Sequence, residues 1–294
     1  MTSLDGALAA CRLAHYAALV FVFGTAAFLR WLAAPGLAAA IGQAVRMPVR
    51  LGLPLAAATT WLWLPLQAAE IGGGWSAAVD PGTLSAVLLD TGFGRAWLCR
   101  AVLSIALPLL ATGWPRRAGA TALAAGLLLA SLALTGHAAM QDGAAGLLHR
   151  LNHAIHLIAG GFWLGALVPF VLCLRSLPDP DLRHEAVRTL RRFSAAGHVA
   201  VAAVLASGIV NVVLVLGRWP TDWSSPYQAL LAAKIAAVLA MVGLAVANRY
   251  ILVPRIGRSN GPALRAIRTG AIAEILLGTA VLALVAVFGL LDPA

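Results

Sequence analysis

Three imidazoles stand at spacings of four and three residues in the run HRLNHAIH: His149, His153 and His156. On a helix, at about 100° per residue, their directions fall within an arc of roughly 60°, so they form one stripe over two turns. His137 ends the preceding apolar segment, and Met140 lies in the short connection between, so both can approach the top of the stripe. Cys11 and His15 are four apart and share a face of the first apolar segment. Sulfur ligands beside imidazoles suit copper, the cuprous ion above all, better than magnesium or calcium. A histidine at the mouth of a membrane helix also serves simply to hydrogen-bond water or headgroups. Three on one face, with a fourth across a short turn, argue for a shared purpose, because burying imidazoles is costly. Cys11 taken alone reads as a small apolar filler.

The remaining polar residues carry less chemistry. His184-Glu185 opens HEAVR rather than H-E-x-x-H, which removes a zinc-protease site and leaves a solvated surface pair. His198 either lines a path or snorkels. Glu274 sits among apolar neighbours and needs a partner, for which Arg265 and Arg268 are the candidates. Asn211 reads as an interhelical hydrogen-bonding residue, and Gly161-x-x-x-Gly165 as a close helix contact beneath the histidine stripe. Cys11, Cys99 and Cys173 are too scattered for a disulfide framework or a zinc spacing. No ATP-binding loop is present.

The elements that must position these side chains are membrane helices. The 294 residues are 61% hydrophobic and 11% charged, against about a quarter charged in soluble domains. Apolar stretches recur along the whole chain without a long polar linker, which predicts one integral membrane domain over 1–294. Spans of ~20 apolar residues are expected at 8–30, 48–69, 95–112, 118–137, 149–174, 194–217, 228–249 and 268–291. The third is short and interrupted by Pro108. The expected fold is therefore all-α: a polytopic bundle of about eight transmembrane helices.

Of the 21 Lys and Arg residues, 15 fall in the connections after spans one, three, five and seven, including Arg46, Arg50, Arg116, Arg117, Arg191 and Arg192. Short cytoplasmic loops retain such residues. Both termini are thus expected in the periplasm, with Asp5, Glu70, Asp80, Asp90, Asp142, Asp222 and Asp292 on that side. Trp75, Trp97, Trp219 and Trp223 would anchor one interface, and Trp31 and Trp114 the other. The net charge of +10 then reflects membrane orientation rather than a nucleic-acid partner. The first span reads as an uncleaved helix rather than a signal peptide, since it ends in Arg30-Trp31.

The runs HRLNHAIHLIAGGFWLGALVPF, Arg191-Arg192-Phe193-Ser194, Ser207-Gly208 with Asn211, and SPYQALLAAKIAAVLAMVGLAVANR together resemble the bacterial copper resistance protein D family, CopD/PcoD. The likeness is strongest over 149–250 and extends by layout to the whole chain. It implies a multi-span inner-membrane protein of copper homeostasis that moves copper inward, with a periplasmic carrier of the CopC type as partner. It also implies a metal role for His149, His153 and His156, and with them His137, Met140 and His15. A second reading comes from the residues. His15 and His156 lie at similar depth from the same side, as two axial ligands of a b-type haem would, which would give an electron-transfer protein able to reduce cupric ion. A third is a metal-sensing or scaffold protein without transport. Copper held by imidazoles should be lost below about pH 6, since a ligating ring must be neutral.

Overall fold

The structure is a computed structural model, and it describes residues 2–136, 140–255 and 260–292. Every regular element among them is helical. In chain order they are α1 (Ser3–Ala27), α2 (Pro35–Ala44), α3 (Arg46–Ile71), α4 (Pro81–Asp90), α5 (Gly92–Leu110), α6 (Ala118–Ala130), α7 (Gly143–Gly165), α8 (Leu167–Arg175), α9 (Pro180–Leu216), α10 (Pro226–Val246) and α11 (Asn260–Phe288). Among the described residues six helical stretches are long and apolar enough to cross a membrane: Ser3–Leu32, Gly92–Gly113, Gly143–Arg175, Pro180–Leu216, Pro226–Leu252 and Gly261–Phe288. Ala118–Leu134 is a shorter apolar helix. At 26 residues α3 is long enough to cross, but Arg46, Arg50 and Glu70 at its ends and two internal prolines make it less apolar.

The first helix is the hub. Its partners are α3, α6, α7 and α11, and residues from Leu8 to Phe28 form the centre of the main core. Small residues let α7 come close. A Cβ added at Gly24 would overlap the backbone of Gly165, and one at Gly165 would overlap the carbonyl of Val20. Gly161 likewise leaves room for Leu129 and Phe23. The close contact expected at Gly161 and Gly165 is therefore made with α1 and α6. It joins the first half of the chain to the second, since α7 also packs along α9 and α11 returns to α1.

Several boundaries differ from those expected. α5 runs through Pro108 without a break, because a helix held by neighbours on both sides tolerates one missing N–H. The fifth span divides at Ala166, where the backbone turns (ψ −9°), into α7 and α8. The sixth begins well before residue 194: α9 starts at Pro180, with Asp179 as its N-cap, and its first turns leave the apolar bundle. That polar overhang fastens α2. The backbone N–H of Leu37 donates to Glu185 Oε2 at 2.7 Å, that of Ala34 to Thr189 Oγ1 at 3.4 Å, and Arg192 reaches the Leu32 carbonyl at 3.5 Å. Glu185 is thus an N-terminal cap for a helix that has none of its own, rather than one of a solvated pair.

At the opposite end α4 lies in the connection between α3 and α5. Its N-cap Asp80 accepts from the Thr83 N–H and hydroxyl, both at 2.7 Å. Those two bonds, the hydroxyl first, hold the Asp80 carboxyl below the usual carboxylate range. Trp75 ties the same connection to Ser3 at the start of α1.

Candidate metal site at the histidine-rich end

The stripe on α7 faces α9 along a seam of side-chain amides. Asn152 donates to the Ser207 carbonyl at 3.0 Å and to Asn211 Oδ1 at 2.9 Å, which turns the Asn211 amide nitrogen toward His153 Nδ1 at 3.2 Å. His156 Nδ1 lies 3.0 Å from Ser207 Oγ and 3.2 Å from the Val204 carbonyl. The Ser207 hydroxyl hydrogen is already committed to α9's own backbone. His156 must therefore donate through Nδ1, and its Nε2 keeps a lone pair. The rings of His153 and His156 stack, with centroids 6.2 Å apart and planes 13° from parallel.

His149 repeats the logic of His156 two turns nearer the helix start. Gln141 donates its amide N–H to the Leu214 carbonyl at 3.0 Å, so its oxygen faces His149 Nδ1 at 3.1 Å. The imidazole donates through Nδ1 and presents a buried Nε2 that has no partner among the described residues. Fixing one ring nitrogen as a donor to an oxygen is how proteins orient a metal-binding imidazole. Asn152 and Gln141 were not legible as site residues, because amides scattered along a helix and a loop carry no spacing signal.

The remaining candidates sit elsewhere. Met140 is exposed at 63%, in the loop before α7. His137 lies outside the described residues. Cys11 and His15 face α3 instead of α7: Cys11 Sγ donates to the Thr59 carbonyl at 3.4 Å, and His15 Nδ1 lies 2.9 Å from Thr59 Oγ1. The Thr59 hydroxyl donates to Leu55, so His15 too is a donor through Nδ1, with a buried Nε2 that has no partner among the described residues. Its surroundings differ from those of the stripe. Trp63 packs edge-on against it at 5.5 Å, and the guanidinium carbons of Arg100 and Arg12 lie 5.5 and 5.8 Å from the same indole. Arg100 is 1% exposed, donates to the Ser131 carbonyl and Thr135 Oγ1, and has no partner for Nε and Nη1 among the described residues. Its charge reaches His15.

His15 and His156 are therefore on opposite flanks of the α1–α7 contact, bonded to α3 and to α9 respectively. This gives the haem reading no support. Among the described residues no three His, Cys, Asp or Glu side chains close on a common point. The stripe is ordered along one face but stays open.

Two further expectations change. Glu274 is buried on α11 and accepts from Asn248 at 3.1 Å, with the Trp163 indole as a second neighbour, rather than pairing with Arg265 or Arg268. Asn248 lies in the π-turn Ala247–Leu252 that follows α10. His198 bonds to the Ser194 carbonyl at 2.6 Å and the Tyr250 hydroxyl at 3.0 Å. Lys234 of α10 stands near the stripe, its charge felt at His156 and its ammonium 5.6 Å from the Phe288 ring centroid.

A bundle whose described elements are all helical, six of them long and apolar enough to cross a membrane, is a multi-pass membrane protein. Residues 1–147 match the copper resistance protein D-like N-terminal domain, and residues 187–288 match copper resistance protein D. The chain is 32% identical over 288 residues to inner membrane protein YebZ of Escherichia coli (strain K12), covering 97% of each chain. It is 34% identical over 309 residues to copper resistance protein D of Pseudomonas syringae pv. tomato, covering 97% of this chain and 96% of that one. Copper transport protein CutJ of Bacillus subtilis (strain 168) is 31% identical over 241 residues, 77% of this chain and 42% of the relative. No solved structure matches. The chain belongs to the copper resistance protein D family. It is a copper-related, multi-pass protein of the bacterial inner membrane.

Proposed function

We propose that the protein takes copper from the periplasm at the α7–α9 seam and passes it across the inner membrane as a single membrane domain. In this reading α3 and α6 join the six long spans to make eight, and both termini are periplasmic. His149, His153 and His156 receive the ion, with Met140 in the loop before α7, and His137, as the entry ligands. The observation that carries the assignment is the pair of anchored rings. His149 and His156 each give their Nδ1–H to an oxygen whose own partners are already fixed, which leaves both Nε2 lone pairs for a metal. Copper is the cargo, delivered by a periplasmic carrier of the CopC type. The relatives named for copper resistance and copper transport support that cargo.

His15 and Cys11 are a weaker second station. Two guanidinium groups around Trp63 raise the local positive potential, against the single Lys234 ammonium near the stripe, so a cation is disfavoured more strongly there. The test is copper binding by protein purified in mild detergent, followed by copper uptake into proteoliposomes. His149→Ala with His156→Ala should lower affinity by about 100-fold or more, since each removes one first ligand. His184→Ala, exposed at the far end, should change nothing. Unchanged affinity in the double variant would remove the site, and binding without uptake would leave a sensor or scaffold in place of a transporter.

A further inference from the structure

α3 and α5 touch at the histidine-rich end and part at the other. At the touching end Trp97 of α5 donates to the Thr60 carbonyl at 2.8 Å, and its ring meets Trp61 edge-on at 5.1 Å. Toward the arginine-rich end each helix carries a proline, Pro54 on α3 and Pro108 on α5. A proline inside a helix lacks the N–H and pushes on the carbonyl four residues earlier, here those of Arg50 and Ser104. Between the two prolines lies a cavity of about 330 Å³.

Its lining is divided by polarity. Val49, Leu53, Pro54, Pro108 and Ala111 form apolar walls, while Arg46 and Arg50, one helical turn apart, stand at the mouth with Thr112 and Trp114. The Trp114 indole is fixed by a bond to the Gly42 carbonyl at 2.9 Å, which closes the cavity toward α2. The two guanidinium groups have no hydrogen-bonding or ion-pair partner among the described residues, and no carboxylate lines the space. A basic mouth over apolar walls, at the level where a span leaves the bilayer, matches an amphiphile with an anionic head.

We propose that this wedge is a binding site for an anionic phospholipid. The phosphate sits between Arg46 and Arg50, and the start of an acyl chain lies along Leu53 and Pro108. Basic pockets between membrane helices hold acidic headgroups in this way. The site is independent of the copper seam and of the direction in which the bundle is inserted.

Native mass spectrometry of the protein in detergent, with added phosphatidylglycerol or phosphatidylcholine, tests it. One phosphatidylglycerol per chain should be retained about 10–30-fold more tightly than phosphatidylcholine, a preference of the size two basic residues confer. Arg46→Gln with Arg50→Gln should abolish that preference while leaving copper binding unchanged. Equal retention of both lipids by the unmutated protein, or the same preference in the double variant, would overturn the site. Inorganic phosphate at millimolar concentration should not displace the lipid; full displacement would show a simple anion site instead. Should the double variant fold poorly, a photoactivatable phosphatidylglycerol used on the unmutated protein gives the second reading. Labelling concentrated on Leu53 and Pro108 peptides supports the site, and labelling spread evenly round the bundle rejects it.

Discussion

An imidazole can bind a metal only through the nitrogen it does not use as a donor, so the partner of the other nitrogen decides whether a histidine is available. Gln141 does this for His149, and it is itself oriented by its bond to the Leu214 carbonyl. Gln141→Leu should therefore free the His149 ring and weaken copper binding by about 10–100-fold, the usual cost of losing an outer-shell partner. Gln141→Glu keeps an acceptor oxygen and should lose far less. Titration of the purified protein with a competing copper chelator separates the two, and equal losses would show that Gln141 only packs. The stripe itself was legible in the sequence because a helix repeats every 3.6 residues and the 149, 153 and 156 spacing follows it. The amides that orient it were not, since Gln141 reaches Leu214 and Asn152 reaches Asn211 across the fold.

The elements follow local rules up to the point where a distant partner takes over. Hydropathy placed the long spans, but it could not find α2, whose N-terminus is completed by Glu185 from a remote part of α9. Nor could it see that α7 stops at Ala166, because the residues on both sides are equally apolar. Glu185→Ala should cost about 1 kcal/mol, as loss of a helix cap does, and should raise hydrogen exchange across residues 35–44 before it affects the spans. A change confined to other helices would show that the cap is idle. The cap of α4 adds a pH dependence whose sign is fixed. The Asp80 carboxyl titrates below its unfolded value, so its contribution is complete above the ordinary carboxylate range and fades only as pH falls through the lowered value. Exchange protection over Leu84–Asp90, corrected for intrinsic rate, should be the same at pH 5 as at pH 7, whereas Asp80→Ala should lose it at both. Protection that already halves at pH 5 would contradict the two Thr83 bonds.

On the scale of the whole molecule the two halves are held together by α1, and the contact that does so has no side chains to spare. Gly24 and Gly165 meet with backbone against backbone, so any larger residue must push α1 and α7 apart. Their separation would shift the stripe relative to the rest of the bundle, because α7 carries His149, His153 and His156 above that crossing. Gly165→Leu should therefore destabilise the protein by about 1–3 kcal/mol, the range for overpacked interiors. It should also reduce copper uptake more than copper binding, since the seam to α9 lies on the other face of α7 and keeps its own bonds. Gly160→Ala is the control: its single added Cβ meets only Val204, at ordinary contact distance, so a much smaller loss is expected. Thermal unfolding in detergent and uptake by proteoliposomes, measured on both variants, test this together. Equal effects at the two neighbouring glycines would mean that bulk on α7, not the crossing with α1, governs the bundle.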